Sequence, residues 1–565
     1  MYGKIKKFLI IGIMIFAFFY SCGGGSDGLS DEELFGLWWL LNQQNTAAAY
    51  CKDISRPADT GEDALYSYQW HLNNSPNDLN LQSVWSSSIK GNNVLVAVVD
   101  DGLEISHEDL KSNVLTSANK NFWTTTSGYS SSETDPTPTS SNSHGTSVAG
   151  TVGALDNNSV GVRGVAPRVC LAGYNLIARG SYTTTEESTA MTHNSSAVGV
   201  SNNSWGPTDY TGELYTSNAT WRDAIESGLS TGRDNKGTLY VWAAGNGAIS
   251  SSTPETDNSN YDGYANYRGV VAVCALLNDG TRAKYSEQGA NLWTCGYADK
   301  TTYSESLTTT DLTGSSGANS GSSSSNLSDS NYTNQFNGTS AASPTVAGVI
   351  ALILEKNSAL TWRDVKLILA ESARKNDSSD SDWTTNSGSK INSSGNYNIN
   401  HKYGFGAVDA DTAVTLASNW TNVASEESAY TYPTDGTEKS VGTTFSDNNS
   451  TGVSDSITIS GTTIKKIEFI EVYLTATSTI DDMDVRLKNG NGTESVLASY
   501  HTCRNSSGTS TTCSSTFSSW RFGTARHLGE DANQTWTLTV SDRNSGNVSG
   551  GTFTSWKIKF YGRAQ

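Results

Sequence analysis

Three short segments of this sequence carry residue types that together can perform acyl transfer. NVLVAVVDDGLEISHEDL sets Asp100 at the end of an apolar run, SNSHGTSVAG sets His144 at the start of a helical pattern, and FNGTSAASPTVAG does the same for Ser340. A serine hydroxyl is inert at its ordinary pKa. It needs an imidazole to take its proton and return it to the leaving amine, and a carboxylate to hold that imidazole in the right tautomer and stabilise its charged form. In a fourth segment, TLYVWAAGNGA, Asn246 stands at a Gly-flanked turn after another apolar run. Its amide, with the Ser340 N–H, could donate to a developing oxyanion. Taken singly, these are a turn residue, two helix caps and a loop amide. Taken together and in this order, they point to hydrolysis through an acyl-enzyme.

The elements around these segments place them at one edge. From about 61 to 422, apolar strand-like runs (NVLVAVVD, GTLYVWAAG, RGVVAVCAL) alternate with helical patterns (HGTSVAGTVGAL, GTSAASPTVAGVIALILEKN). That alternation predicts an α/β fold, a parallel sheet with helices on both faces. Its site should lie at the C-terminal strand ends, where Asp100 stands. Residues 305–334, rich in Ser, Thr, Asn and Gly, read as a surface loop bordering the site. From 425 to 565 only short alternating runs remain, as in KKIEFIEVYLTA and QTWTLTVSD, which predict a small antiparallel β-sandwich.

At 565 residues the chain exceeds one ordinary domain, and its formal net charge of −19 disfavours nucleic acid and favours cationic substrates. Lys4, Lys6 and Lys7 precede an apolar run from Phe8 to Tyr20, a signal segment over 1–21, with Cys22 and a Gly/Ser stretch behind it. This resembles a bacterial lipoprotein signal. It implies an exported protein held on a membrane of the cell envelope by lipid on Cys22, through a tether over 22–60. Six cysteines then remain, an even number that suggests disulfides. Cys503 and Cys513 bracket a polar loop and are the best pair, while Cys274 and Cys295 could form another. The histidines other than His144 read as surface or structural.

Further segments carry a resemblance. NSWGPTDY, NSNYDGYAN, YSEQG, LTWRDVKLILAESA and HKYGFGAVDA, with the four site segments, look like the kexin/furin branch of the subtilase superfamily. The likeness runs from about Asp63 to Trp420, within a peptidase domain over 61–422, and 425–565 resembles that branch's P-domain. It implies a Ca2+-dependent serine endopeptidase acting after Arg on polypeptides with basic residues, at single or dibasic sites, as a monomer. It carries a basic-residue pocket onto Asp209 and Asp262, with Trp205 and Gly206 beside them. Asp101 is carried over as an acid favouring a basic P2 residue, and Glu187 as a further acidic subsite. It carries calcium ligands onto Asp209, Asp257 and Glu287, and a second set onto Asp63, Asp109 and Asn158 with the carbonyls of 155–162.

Two departures stand out. The Cys22–Asp63 segment has no room for the family's prodomain. Ser259 stands where relatives carry a cysteine, so their disulfide pattern does not transfer. The rival readings are a broad-specificity digestive subtilase and, more remotely, a catalytically silent surface binding protein.

Overall fold

The apolar runs ahead of the site residues are strands buried on both faces. In a computed structural model, residues 51–52, 54–139, 142–248, 255–302, 305–321, 327–505, 507–544 and 550–565 are described, so the signal segment, Cys22 and most of the tether lie outside them. β1 (Leu95–Asp100), β2 (Lys120–Asn121), β3 (Cys170–Asn175), β4 (Val198–Asn203), β5 (Leu239–Ala243), β6 (Val270–Leu277) and β7 (Thr294–Asp299) form one sheet in the order β2-β3-β1-β4-β5-β6-β7. All its pairings are parallel.

The side chains of β1 show how both faces are covered. Val96 and Val98 pack in one core with Val148 of α1 (His144–Gly153) and Val346 and Ile350 of α4 (Thr339–Lys356). Leu95, Ala97 and Val99 pack in another with Met191 of α2 (Thr184–Thr192) and Trp221 and Leu229 of α3 (Ala219–Asn235). Continuous burial along the strand, without alternation, is what a sheet sandwiched between helices requires.

Residues 305–334 are not a loop throughout. Leu307–Thr310 is a fully buried strand paired antiparallel with Tyr332–Phe336. Threonines that read as loop composition turn inward because their hydroxyls find acceptors on α1. Thr309 Oγ1 donates to Ser147 O at 2.8 Å, and Thr310 Oγ1 to Thr146 O at 2.7 Å.

Past a half-exposed stretch at 421–429 the chain becomes all-β. A five-stranded antiparallel sheet (Tyr430–Tyr432, Lys439–Phe445, Lys466–Thr477, Phe517–Thr524, Gly551–Arg563) accompanies a four-stranded one (Asn449–Thr458, Met483–Asn489, Glu494–Ala498, Thr535–Asp542). Val472, Leu474, Val485, Leu487, Trp536 and Trp556 belong to a single core. This part is tied to the α/β part by ions as well as apolar contact. Arg363, on α5 (Trp362–Ser372), grips Glu468 with Nε and NH2, each at 2.6 Å, and Arg563 donates to the same carboxylate at 2.9 Å.

The expected disulfide Cys503–Cys513 is formed, as is Cys274–Cys295 between β6 and β7. A third bond, Cys51–Cys170, joins the start of the described chain to β3. The histidines expected at the surface or in structural roles are mostly interior: His71, His107, His501 and His527 are buried.

Candidate active site

Asp100 ends β1, fully buried. His144 begins α1, and its Nδ1–H donates to Asp100 Oδ1 at 2.8 Å. The helix can come this close because residue 145 is glycine: a Cβ there would stand 2.1 Å from Gly102 O and 2.9 Å from Asp100 Cβ. The His144 side chain is 36% exposed, with the Phe336 ring edge-on at 5.5 Å. Burial opposes its charge, but Asp100 and then Asp101 outweigh that, and its pKa is pushed up to about 9.

Ser340 is the second residue of α4, behind Gly338, whose φ of +84° opens the helix. Pro344 lies four residues on and has no N–H to give the Ser340 carbonyl. Ser204 Oγ donates to that carbonyl instead, at 3.0 Å, and Ser340 Oγ donates to Ser204 O at 3.1 Å. In this rotamer the hydroxyl faces Ser204, while Ser340 and His144 line the same recess, about 430 Å3, with Asn246, Tyr210, Tyr285 and Phe336. Nucleophile–base bonds often tighten only once substrate is bound. Asn246 Oδ1 accepts from Thr339 N at 2.7 Å and from Thr339 Oγ1 at 2.9 Å. With the oxygen so occupied, Nδ2 is the donor of that amide.

A second recess of about 270 Å3 shares Ser340 and Asn246 with the first and is lined by Trp205, Gly206, Asp209, Asp257, Asp262 and Glu287. Asp209 Oδ1 accepts from Asn246 N at 2.9 Å, and Asp262 Oδ1 from Tyr264 N at 2.8 Å. Trp205 is fixed by its Nε1 donating to Val99 O at 3.1 Å. Carboxylate oxygens of Asp209, Asp257 and Glu287 all lie within 4.8 Å of one another. Burial raises all three pKa values, Asp257 to about 7 and Glu287 well above the carboxylate range, and repulsion from the neighbouring acids adds to the rise at Asp257 and Glu287. Burial also pushes Asp262 up to about 7. Three converging carboxylates that resist ionisation together are a donor set for a hard divalent cation.

Asp63, Asp109 and Asn158 also meet. Asn158 Nδ2 donates to Asp109 Oδ1 at 2.7 Å, and Asn158 N to Asp63 Oδ1 at 3.1 Å. This set fits a cation less well, because Arg163 Nε already pairs with Asp63 Oδ2 at 2.8 Å.

Two expected subsite residues stand elsewhere. Glu187 is fully buried on α2, accepting from Tyr264 OH and, at 2.9 Å, from Asn218 Nδ2, so no substrate side chain reaches it. Asp101 is 8% exposed, and its oxygens accept from Gly145 N at 2.7 Å and His144 N at 3.3 Å, capping α1. Neither lines the two recesses. Sequence reasoning missed Tyr210, Tyr285, Phe336 and Thr339. All four lie inside segments already singled out: Tyr210 in NSWGPTDY, Tyr285 in YSEQG, and Phe336 and Thr339 in FNGTSAASPTVAG.

The sequence model of the subtilase family matches residues 91–406, which include Asp100, His144, Asn246 and Ser340. The chain belongs to the subtilase family. The proprotein convertase P-domain matches residues 467–560 of this subtilase. The subtilase is 28% identical over 536 residues to neuroendocrine convertase 2 of Homo sapiens, spanning 90% of this chain and 76% of that one. It is 30% identical over 517 residues to protease KEX1 of Kluyveromyces lactis, spanning 88% and 60%. The structure of the serine protease of Aeromonas sobria covers 91% of this chain and 98% of its own, with a TM-score of 0.75 at 26% identity. The subtilase is a serine peptidase with a P-domain region behind its α/β fold.

Proposed function

We propose that this subtilase is a Ca2+-dependent endopeptidase cleaving polypeptides after arginine. It would use a peptidase domain over 61–422 and a P-domain over 425–565. The observation carrying this reading is the anionic recess beside Ser340. Asp209 and Asp262 stand on its wall, and a planar guanidinium can bond carboxylates in pairs, as an ammonium point charge cannot. Trp205 and Gly206 would flank the P1 stem.

Substrate binding would turn the Ser340 hydroxyl to His144 Nε2. His144 takes the proton as Oγ attacks the scissile carbonyl carbon. Ser340 N–H and Asn246 Nδ2–H donate to the oxyanion. The tetrahedral species collapses as His144 protonates the leaving amine, giving the acyl-enzyme. Water, deprotonated by His144, then releases the acid and restores Ser340. Asp100 keeps Nδ1 protonated throughout, and Asp101 holds the helix that carries the base. Calcium on Asp209, Asp257 and Glu287 would supply the charge that lets these acids ionise together, fixing the recess floor. Asp63, Asp109 and Asn158 would hold a second ion only by displacing Arg163 from Asp63. Lipid on Cys22 would hold the monomer on a bacterial envelope membrane, and Cys22→Ser should move it from pelleted membranes to the soluble fraction.

The deciding experiment is turnover of fluorogenic peptides varying only P1 (Arg, Lys, Phe, Ala), with and without a calcium chelator, beside Ser340→Ala. Turnover confined to Arg, lost with chelator and in the variant, supports the reading. Equal turnover of Phe replaces it with a broad digestive activity. Retained turnover in chelator removes the calcium requirement.

A further inference from the structure

The outer wall of the acid recess is a short backbone segment held in an unfavourable conformation. Tyr210 has φ +67° and Gly212 φ +71°. For a tyrosine the left-handed region is costly and persists only where the surroundings over-determine it. From inside, the Asp257 carboxylate accepts from Tyr210 N and Gly212 N. From outside, the segment meets a hairpin of the β-sandwich, Cys503–Arg504 paired with Ser510–Thr511 and closed by the Cys503–Cys513 disulfide.

That hairpin and its flanks reach three consecutive residues. Arg504 N donates to Thr211 O at 3.1 Å. His501 Nε2 stands 3.0 Å from Gly212 O. Glu213 accepts from Ser514 N at 2.6 Å, Ser514 Oγ at 2.9 Å and Ser515 N at 3.0 Å. The fit is tight: a Cβ on Gly212 would stand 2.7 Å from Cys503 Sγ and 3.1 Å from Cys503 Cα. Asp209 directly precedes this clamped segment.

We propose that the Cys503–Cys513 hairpin positions Asp209, so that the P-domain sets how tightly the recess binds the P1 side chain. His501, Cys503, Cys513 and Glu213 are positioning residues in this scheme. Without the clamp, Tyr210 relaxes from its left-handed conformation and Asp209 moves with it. Asn246 does not follow, because Thr339 holds its amide from the other side. The defect therefore falls on affinity and spares the chemical step. This rests on the proposed P1 specificity for its substrate, although the readout is defined for any P1 residue that is turned over.

The test uses the full chain, with active sites titrated by a serine-directed fluorophosphonate. A double variant, Cys503→Ser with Cys513→Ser, is measured beside Glu213→Ala and Glu213→Gln. KM for the P1-Arg peptide should rise about tenfold in the double variant and in Glu213→Ala, with kcat per titrated site within about twofold of wild type. Glu213→Gln keeps an acceptor for the serine donors and should recover most of that loss. An unchanged KM per titrated site, with only a lower Tm or titre, overturns the proposal. So does a Glu213→Gln defect as large as that of Glu213→Ala, which would mean that Glu213 acts as a charge on the substrate. A wild-type enzyme without P1-Arg preference sinks the specificity reading alone, because the KM comparison can then be made on the preferred peptide.

Discussion

His144 stands between a fully buried carboxylate and solvent, and that position sets when it can act as a base. Its pKa, pushed up to about 9, means the free enzyme carries an imidazolium at neutral pH. The value exceeds that of the unfolded chain. The stabilisation from the Asp100 pair is therefore complete below about pH 6.5 and is lost as pH rises through about 9. Activity runs the opposite way: kcat/KM should climb from pH 6 toward 9 as the proton leaves. Asp100→Asn should shift that limb to lower pH and cut kcat on the order of ten-thousand-fold, measured as a pH–rate profile of both proteins. The residues of this constellation were legible in the sequence because the chemistry dictates their types. Glu187 was not, because spacing alone cannot say which way a helical side chain points. Glu186 beside it closes a capping box with Thr183 at the surface, while Glu187 turns inward to Tyr264. Adjacency to Asp100 likewise says nothing of the helix end that the Asp101 oxygens cap.

Among the elements, α1 and β1 must approach more closely than side chains permit. Gly145→Ala places a methyl against Gly102 O, a backbone atom with little freedom to yield. It should cost roughly 1–3 kcal/mol of stability and displace His144. Thermal unfolding and kcat/KM should fall together, whereas a lowered Tm with unchanged kcat/KM would mean the helix shifts without its first residue. The sandwiched parallel sheet was readable from strand runs without alternation. The Leu307–Thr310 strand was not, since threonines buried by side-chain bonds to α1 look the same in sequence as threonines in solvent. The pairing of Cys51 with Cys170 was equally illegible, because it spans 119 residues and depends on where β3 falls in the sheet.

At the scale of the whole molecule, Glu468 holds two guanidiniums, those of Arg363 and Arg563, with little exposure on any of the three. Removing the shared carboxylate leaves both cations buried. Glu468→Gln should therefore destabilise the chain by about 3–5 kcal/mol, read from denaturant unfolding, and a loss below about 1 kcal/mol would mean that water reaches the arginines. The domain order was visible in the change of composition near 425, but these cross-domain bonds were not, since nothing local marks their partners.

The half-exposed 421–429 stretch now takes on a different meaning. It is the peptide link between halves that Glu468, Asn260 and Ala290 also hold together, through Arg363, Trp520 and Ala525 respectively. A single backbone scission there, by another protease or by the enzyme itself, would leave those bonds intact. A nicked preparation would migrate as two fragments in a denaturing gel yet elute as one particle and keep its turnover. Fragment size alone would then be a poor guide to the intactness of the working enzyme.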